Sequence, residues 1–475
     1  MNTLVTGATR IEQTMDAIRR RIALRQLTPG ARVPSIRQFA ADTGVSKSTV
    51  VEAYERLAAE GVIHPRRGSG FYVAGHLAPL ALSELGPRLD REVDPLWVAR
   101  QSLDSGTLAL KPGCGWLPNE WMPQDDIRRA LRGIARAPHT PLTDYAPTLG
   151  QPGLRRLLAQ RLQERGMNTT PAQILLTDSG TQAIDLLCRF LIEPGDTVLV
   201  DDPCYFNFLA LLRAHQVRIV SVPFTTTGPD LELFAATLAE HQPRLYITNS
   251  ALHNPTGASL SPLAAHRILK LAEVHDLVII EDDIFSDFES SPSTRLAAFD
   301  GLERVIQIGS FSKTLSASAR CGYIAARADW VDSLADLRIA TAFSGCALTQ
   351  SLVQALLEGG GYRRHVETLR QRLADATAPV MTRLERLGIT PWAAPRGGMF
   401  LWCRLPHGLD GARLAGLALA QGLVLAPGNV FSLSQTASGF MRFNPSQMAG
   451  PRVFELLETA MNQAATMADE PRAAA

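Results

Sequence analysis

One lysine of this chain stands in a sequence that suits covalent chemistry on a carbonyl group. Lys313 lies within residues 310–320, SFSKTLSASAR, and it is one of only four lysines in a chain rich in arginine. A lysine ammonium can lose its proton and attack a carbonyl carbon, whereas a guanidinium stays protonated at ordinary pH. A lysine on an exposed surface loop is the plain alternative for this stretch taken alone.

The neighbours of Lys313 are donors for a phosphate group. Ser310 and Ser312 offer hydroxyl groups, and Arg320 offers a planar cation. The apolar run at residues 305–308 is typical of a strand, so the turn that follows should leave the edge of a sheet. Our leading hypothesis is therefore an imine between Lys313 and pyridoxal phosphate (PLP), whose phosphate these side chains would hold.

Further polar segments follow other apolar runs. Residues 178–182 follow a strand-like run and open a helix, so the amides of Gly180, Thr181 and Gln182 are expected to face an anion. Comparable positions carry an aromatic ring, a side-chain amide and a group of carboxylates, at Tyr205, Asn254 and residues 281–283. Each segment alone has a plainer explanation, such as a capped helix or a turn. Their shared position after strands favours a ligand site, because ligands bind at the loops that leave parallel strands.

The elements that must position these loops alternate between strand and helix. Apolar runs predict strands at residues 174–177, 197–200, 218–222, 245–248, 277–280 and 305–308. Helices are predicted after Thr181, from Asn207 and from Pro262. Continuous apolar strands between helices indicate an α/β sheet that is buried on both faces and mostly parallel.

The first 75 residues follow a different pattern. Apolar residues at helical spacing predict three short helices, with Ser35 and Ser46 capping the second and third and Gly44 between them. Two strand-like runs, 62–64 and 71–73, follow and are joined by the basic, glycine-rich sequence PRRGSG. This order indicates an α+β winged helix-turn-helix, whose third helix would enter the major groove of DNA.

The charge of this N-terminal part suits a polyanion. Residues 1–75 carry a net charge of +5, while the rest of the chain carries −4. The residues predicted to contact DNA lie on the second helix, around the start of the third and on the hairpin tip: Arg37, Ser46, Lys47, Ser48, Thr49, Arg66, Arg67 and Gly68. Charge alone leaves open a small interaction module with a solvated basic face.

Length and composition limit the classes of protein to which this chain can belong. A chain of 475 residues with mean hydropathy +0.01 should hold two or three domains of an ordinary soluble protein. We expect residues 1–75 to form the DNA-binding domain, 76–94 a linker and 95–475 the ligand-binding domain. No leader peptide or membrane span is expected, and the six cysteines show no metal-binding spacing, so we expect a cytoplasmic protein without a structural metal.

Two known families resemble parts of this sequence. Residues 33–37 (VPSIR), 43–46 (TGVS) and 67–70 (RGSG) resemble the reader domain of GntR-type bacterial regulators. From about residue 96 onward the chain resembles the fold-type I PLP aminotransferases. The whole is similar to MocR-type regulators, in which a GntR-like reader is fused to an aminotransferase-like unit. This resemblance implies a large, mostly parallel sheet domain followed by a smaller C-terminal α+β part.

The resemblance also implies roles for single residues. Lys313 would carry PLP, Asp282 would pair with the pyridinium nitrogen, Asn254 would contact the ring O3′ and Tyr205 would stack on the ring. Gly180, Thr181, Ser310 and Arg320 would hold the phosphate, Arg442 would bind the carboxylate of an amino acid, and Tyr145 would reach the cofactor of a neighbouring subunit. A head-to-tail homodimer and a DNA operator with two half-sites follow from the same resemblance.

One position departs from the family pattern. The tyrosine expected two or three residues after Asp282, a donor to O3′, is replaced by Ile284 and Phe285. Its loss should slow amino-group transfer while leaving PLP binding in place. A DNA-binding regulator that senses PLP, or an amino acid or amine, is therefore favoured. The alternative is an active aminotransferase with a vestigial DNA-binding domain.

Overall fold

The computed structural model describes residues 9–23, 27, 30–66, 68–74, 95–104, 109–138, 142–406 and 408–469. These residues form two compact units, one within residues 1–88 and the other within residues 89–475. The predicted linker lies outside the described residues. None of the helices described is long and apolar enough to cross a membrane.

The first unit consists of three helices followed by a hairpin. Its elements are α1 (Arg10–Ala23), α2 (Ile36–Thr43), α3 (Lys47–Ala59), β1 (Ile63–Arg66) and β2 (Gly70–Val73). The two strands pair antiparallel, with Ile63 opposite Val73. The winged helix-turn-helix order predicted from the sequence is confirmed.

Local capping begins and ends these helices where the sequence predicts. The hydroxyl oxygens of Ser35 and Ser46 accept hydrogen bonds from the amides of Gln38 and Thr49, so each serine satisfies a first-turn donor. Gly44 ends α2 at a φ of 68°, a left-handed conformation that favours glycine. The turn between α2 and α3 is thus determined by local sequence.

One apolar core holds this unit together. Every element contributes buried side chains to it: Ile18, Phe39, Val50, Tyr54, Leu57, Ile63 and Val73. The hydroxyl of Tyr54 donates to the carbonyl of Pro34 at 2.9 Å, which anchors the polar end of this ring. Because the inner face of α3 is buried, its first turn, with Lys47 and Ser48, faces solvent.

The second unit is built on an eight-stranded sheet. Its strands are β3 (Ile174–Thr177), β4 (Thr197–Asp202), β5 (Arg218–Thr225), β6 (Gly228–Pro229), β7 (Leu245–Thr248), β8 (Val278–Asp282), β9 (Val305–Ser310) and β10 (Gly322–Ala325). They lie in the order β3-β10-β9-β8-β7-β4-β5-β6. The pairs from β9 through β5 are parallel, whereas β10 and β6 run antiparallel to their neighbours. The sheet is mostly parallel, as predicted.

Ten helices among the described residues accompany this sheet. They are α4 (Pro95–Asp104), α5 (Gln124–Arg136), α6 (Pro152–Gln163), α7 (Gly180–Leu191), α8 (Phe206–Ala214), α9 (Leu231–His241), α10 (Pro262–Val274), α11 (Leu296–Asp300), α12 (Ala328–Ala342) and α13 (Ala347–Glu358). Successive strand residues, such as Leu175 and Leu176, enter two different apolar cores. Both faces of the sheet are therefore buried, which explains the continuous apolar runs in the sequence.

Strand β10 is absent from the sequence-based prediction, and it determines where Lys313 lies. The chain leaves β9 at Ser310, turns, and returns through β10, with Gly322 paired opposite Ser310. The amide of Phe311 donates to the carbonyl of Cys321 at 3.0 Å across the base of this turn. Lys313 therefore stands in a loop whose two ends are held together by the sheet.

A smaller antiparallel sheet with its helices completes the second unit. The elements are α14 (Gly361–Arg386), β11 (Thr390–Pro391), β12 (Leu401–Arg404), α15 (Gly411–Ala420), β13 (Ala426–Pro427), β14 (Phe440–Phe443) and α16 (Pro451–Asp469). The strands lie in the order β11-β12-β14-β13. The long helix α14 places Tyr362 in a core of the large sheet and Leu384 in the core of the smaller one. This is the predicted C-terminal α+β part.

Candidate functional site

One cavity of about 680 Å³ collects the loops that leave the large sheet. Its lining includes every predicted cofactor or effector residue except Tyr145: Gly180, Thr181, Gln182, Tyr205, Asn254, Asp282, Ser310, Ser312, Lys313, Arg320 and Arg442. These residues come from loops, strands and the start of α7, which are far apart in the chain. The sheet topology therefore brings together the polar segments that the sequence analysis singled out.

Lys313 is held with its amine inside this cavity. Its Nζ donates to the carbonyl of Gly115 at 2.7 Å. Burial lowers the pKa of Lys313 to about 8, and the nearby positive charge of Arg442 acts in the same direction. A sizeable fraction of the amine is therefore neutral near physiological pH, as a nucleophile requires.

Asp282 ends β8 and points its carboxyl group into the same cavity. Its Oδ1 accepts a hydrogen bond from the amide of Ile284 at 3.2 Å. Burial raises the pKa of Asp282 to about 7, against the lowering effect of that amide. A buried carboxyl group poised between its two protonation states is suited to pair with a cationic ring N–H of a ligand.

The start of α7 forms the anion-binding end of the cavity. Gly180 and Thr181 lie in the first helical turn, where backbone N–H groups have no intrahelical acceptor. The predicted role of the Gln182 amide is corrected, because this amide already donates to the capping hydroxyl of Ser179 at 3.0 Å. The side-chain amide of Gln182 is also engaged, donating to Asp178 at 3.2 Å. The first-turn donors left for a phosphate are therefore Gly180 and Thr181.

The lysine loop faces these amides. Ser310 Oγ lies 3.1 Å from Ser312 Oγ, so the two hydroxyl groups form one polar surface. Arg320, at the far end of the loop, has a φ of 41°, which is uncommon for a residue other than glycine. Loop geometry and helix start together present hydroxyl, amide and guanidinium donors to the cavity, which is the donor set a phosphate needs.

Arg442 is a buried cation on β14. Its Nη1 donates to Asn254 Oδ1 at 2.8 Å and its Nη2 to the carbonyl of Gly113 at 2.7 Å, while its Nε has no partner. Its Cζ lies 4.3 Å from the ring centre of Phe400 and 4.8 Å from that of Phe431. Burial lowers the pKa of Arg442 to about 10. Within the described residues no carboxylate lies within 4.0 Å of it, so its charge is not neutralised by an ion pair there.

The position of the missing tyrosine belongs to the cavity wall. Ile284 and Phe285 both line the cavity, and the Phe285 ring lies 5.4 Å from that of Phe400. Tyr205 is the one tyrosine among the described lining residues. Along the described wall, no phenol donor stands at the place where the family pattern has one.

Several lining residues escaped the sequence analysis. They come from α4, from the start of α8 and from loops without a recognisable motif: Val98, Ala99, Ser102, Leu103, Gly115, Trp116, Phe206 and Phe400. Gly115 contacts Lys313 from 198 positions away in the chain. The sequence carries no local signal for such contacts, since only the fold brings the segments together.

Tyr145 lies outside this cavity. Its side chain is 77% exposed, and its ring centre lies 4.8 Å from that of Phe343. It lines a second cavity of about 550 Å³ whose wall also includes Arg320. Arg320 thus belongs to both cavities, and the predicted role of Tyr145 toward another subunit stays a prediction.

The first unit presents the predicted DNA-contacting residues on one module. Lys47 and Ser48 are exposed at the start of α3, while Thr49 is half-buried and its hydroxyl lies 2.8 Å from the capping Ser46. Arg37 is exposed on α2. At the hairpin, Arg66 and Gly68 are exposed, and the Arg66 Cζ lies 4.3 Å from the ring centre of Tyr72. Arg67 lies outside the described residues.

Comparison with protein-family models matches both units. Residues 10–73 match the model described as bacterial regulatory proteins, gntR family, and residues 119–459 match that described as aminotransferase class I and II. The chain belongs to the class I and II aminotransferase family. Its first unit is a GntR-type helix-turn-helix domain, so this aminotransferase-family chain has the MocR-like architecture.

Relatives that align with most of this chain are named as regulators. The chain is 28% identical over 432 residues to the HTH-type transcriptional regulator YdfD of Bacillus subtilis, covering 88% of this chain and 89% of that protein. It is 28% identical to YdcR of Escherichia coli, covering 93% and 96%. It is 27% identical to NorG of Staphylococcus aureus, covering 78% and 86%.

Two solved structures with the same fold are aminotransferases. LysN, the α-aminoadipate aminotransferase of Thermus thermophilus, was solved with N-(5′-phosphopyridoxyl)-L-leucine. It is 25% identical with a TM-score of 0.72, covering 82% of this chain and 100% of LysN. The kynurenine aminotransferase of Pyrococcus horikoshii is 23% identical with a TM-score of 0.71, covering 81% and 97%, and it shows the fold.

The cofactor implied by this aminotransferase family is pyridoxal phosphate, and the residues present fit it. A neutralisable amine at Lys313, a buried carboxyl at Asp282 and first-turn amides of α7 match its aldehyde, ring nitrogen and phosphate. The buried Arg442 Nε without a partner leaves a donor for an anionic group beside them.

Proposed function

We propose that this protein is a DNA-binding transcription regulator whose aminotransferase-like unit binds PLP on Lys313 and senses PLP, or an amino acid or amine. One observation carries the proposal. A single cavity holds Lys313, Asp282, Asn254 and Arg442 together, in a chain whose first unit is a GntR-type reader.

The residues have distinct roles in this proposal. Lys313 holds the aldehyde carbon of PLP, Asp282 holds a proton at the ring nitrogen, Asn254 binds O3′ and Tyr205 covers the ring face. Gly180, Thr181, Ser310, Ser312 and Arg320 bind the phosphate. When bound, PLP supplies an electron-withdrawing ring that activates an amine joined to its aldehyde carbon. Arg442 orients the carboxylate of an amino acid.

We include a second copy of the chain in the proposal. The exposed Tyr145 beside Arg320 supports it, since a partner chain could cover that ring and complete the phosphate end of the site. An isologous dimer would present two readers and select an operator with two half-sites. Because the proposed partner is chromosomal DNA, we place the protein with the bacterial nucleoid in the cytoplasm.

DNA selection tests this function. When the full-length protein is mixed with fragments of its own genome, we expect retained fragments to share a motif repeated as two half-sites, with retention that falls steeply as salt rises. Arg66→Ala should weaken binding to all sequences and reduce the salt slope by about one. Lys47→Ala, at the exposed first turn of α3, should also change the preference among sequences.

A matched substitution in the second unit provides the control. Arg128 is an exposed arginine on α5, so Arg128→Ala removes the same charge far from the proposed reader in the chain. In electrophoretic shift assays of the three variants, Arg128→Ala should bind DNA as the wild type does. Unchanged shifts for both Arg66→Ala and Lys47→Ala would show that the reader surface is assigned wrongly.

Attachment of PLP should depend on pH in a characteristic way. Only the neutral amine attacks, and the pKa of Lys313 is lowered from 10.5 to about 8 by burial and by Arg442. The attachment rate to cofactor-free protein should therefore rise with pH and level off above about 8, as stopped-flow absorbance can measure. Free Nα-acetyl-lysine is the control, and its rate should keep rising to about 10. A protein profile parallel to that of the free lysine would contradict the prediction.

A further inference from the structure

Helix α14 contacts the loop that carries Lys313. Thr314, the next residue, is 1% exposed, and two side chains one turn apart on α14 hold it. The hydroxyl of Thr314 lies 2.8 Å from that of Tyr362, and the Nε2 of His365 lies 2.7 Å from the Thr314 carbonyl. Because a carbonyl only accepts, His365 must donate from Nε2, and burial lowers the pKa of His365 so that the ring stays neutral.

The same Tyr362 hydroxyl reaches a second loop. It donates to Asp287, which follows Asp282 by five residues in the turn after β8. With its single proton given to that carboxylate, the hydroxyl can only accept from Thr314. One phenol group thus joins the loop after β9 to the loop after β8.

Asp287, at one end of this connection, is held in its ionised form. Arg161 and Arg165 lie 2.9 Å and 2.6 Å from Asp287 Oδ1, and although burial opposes ionisation they hold the pKa of Asp287 below its usual value. Arg370, further along α14, donates to the Asp287 carbonyl at 2.8 Å. Asp287 is therefore a fixed point to which Tyr362 can tie Thr314.

We propose that Tyr362 is a positioning residue that fixes Lys313 relative to Asp282, by joining Thr314 and Asp287 through its hydroxyl group. This inference rests on the proposed function, because it concerns how Lys313 and Asp282 are placed to bind the aldehyde carbon and the ring nitrogen of PLP. Neither Tyr362 nor Thr314 lines the cavity, so neither is proposed to touch the cofactor. Precise spacing of the two groups matters because both must reach one rigid ring.

The test is PLP binding by full-length Tyr362→Phe. Phenylalanine fills the same space and removes only the hydroxyl, so we expect the dissociation constant for PLP to rise about tenfold, as for loss of a hydrogen bond to a charged group. Melting temperatures with and without PLP form the second readout, and the rise caused by PLP should shrink. Tyr54→Phe, which removes a buried hydroxyl from the first unit, should change neither PLP readout.

The outcomes distinguish a positioning role of Tyr362 from a purely structural one. If Tyr362→Phe lowers the melting temperature of the PLP-free protein but keeps wild-type PLP affinity, Tyr362 is only structural and the proposal is wrong. If that variant fails to fold, the pair Thr314→Ser and Thr314→Val decides. Serine keeps the hydroxyl and should keep the affinity, whereas valine should lose about tenfold, and equal affinities would overturn the proposal. Failure of the wild type to bind PLP would instead contradict the proposed function.

Discussion

Borohydride treatment of the Lys313→Ala variant is expected to fix no PLP, whereas the wild type should retain about one PLP per chain. Lys313 is the one lysine among the described residues that line the cavity, and its amine is partly neutral because burial lowers its pKa to about 8. Alanine offers no nitrogen, so the reducible link between protein and cofactor cannot form. The yellow absorption band of wild-type protein should be lost with it.

Two other lysines provide the controls for this experiment. Lys270 is exposed on α10, so Lys270→Ala removes an amine of the same type without touching the cavity. Lys111 donates to the carbonyl of Ser102 at 3.1 Å, and Ser102 belongs to the cavity wall. Peptide mapping after reduction should find PLP on Lys313 alone. Fixation on Lys111 or Lys270, or a band that persists in Lys313→Ala, would contradict the assignment.

Local sequence predicted most of the elements that carry the site. The strands β3 and β7 begin and end where continuous apolar runs do, because both of their faces are buried. The starts of α2 and α3 were also predicted, because capping by Ser35 and Ser46 is an interaction between residues close in the sequence. Side chains that follow such strands then meet in the cavity as a consequence of parallel pairing.

The features that could not be predicted from the sequence depend on contacts between segments far apart in the chain. Strand β10 pairs antiparallel between β3 and β9, and a four-residue segment carries no sign of its direction or neighbours. Gly115 and Phe400 line the cavity because the chain folds back on itself, and neither stands in a motif. The Gln182 amide shows a different limit, since capping by Ser179 competes with anion binding for the same donor.

The connection through Tyr362 shows how much of a site can be hidden from its motif. Thr314 stands beside Lys313 in the sequence, yet its hydroxyl is held by a residue 48 positions further on. Helical spacing places Tyr362 on the face of α14 that meets the sheet, and only the fold tells which loop that face contacts. A motif thus identifies the reacting group, whereas the structure identifies what holds it.

Replacement of Arg442 by methionine should abolish the response to amino acids while PLP stays bound. Arg442 is a buried cation without an ion-pair partner among the described residues, and its Nε is free to donate. Loss of a buried, bidentate contact to a carboxylate costs about 2–5 kcal/mol, so the concentration of amino acid that shifts the PLP spectrum should rise at least about 30-fold.

Two matched comparisons isolate the carboxylate in this experiment. Arg404→Met changes an exposed arginine on β12, whose Cζ lies 4.8 Å from the ring centre of Phe440, and should leave the response unchanged. A decarboxylated amine should shift the spectra of wild type and Arg442→Met alike, because it makes no contact that depends on the guanidinium. If Arg442→Met weakens the responses to the amine and to the amino acid equally, Arg442 does not bind the carboxylate.

The same titration separates the kinds of signal. If an amino acid is the effector, it should change both the spectrum and the DNA affinity of the wild type, and Arg442→Met should lose both changes together. If PLP itself is the signal, amino acids should change neither readout, and removal of PLP should change DNA affinity. Turnover should be slow in either case, because Phe285 has no hydroxyl to donate to O3′. Rapid conversion of PLP to its amine form, with a keto acid as partner, would instead identify a working aminotransferase.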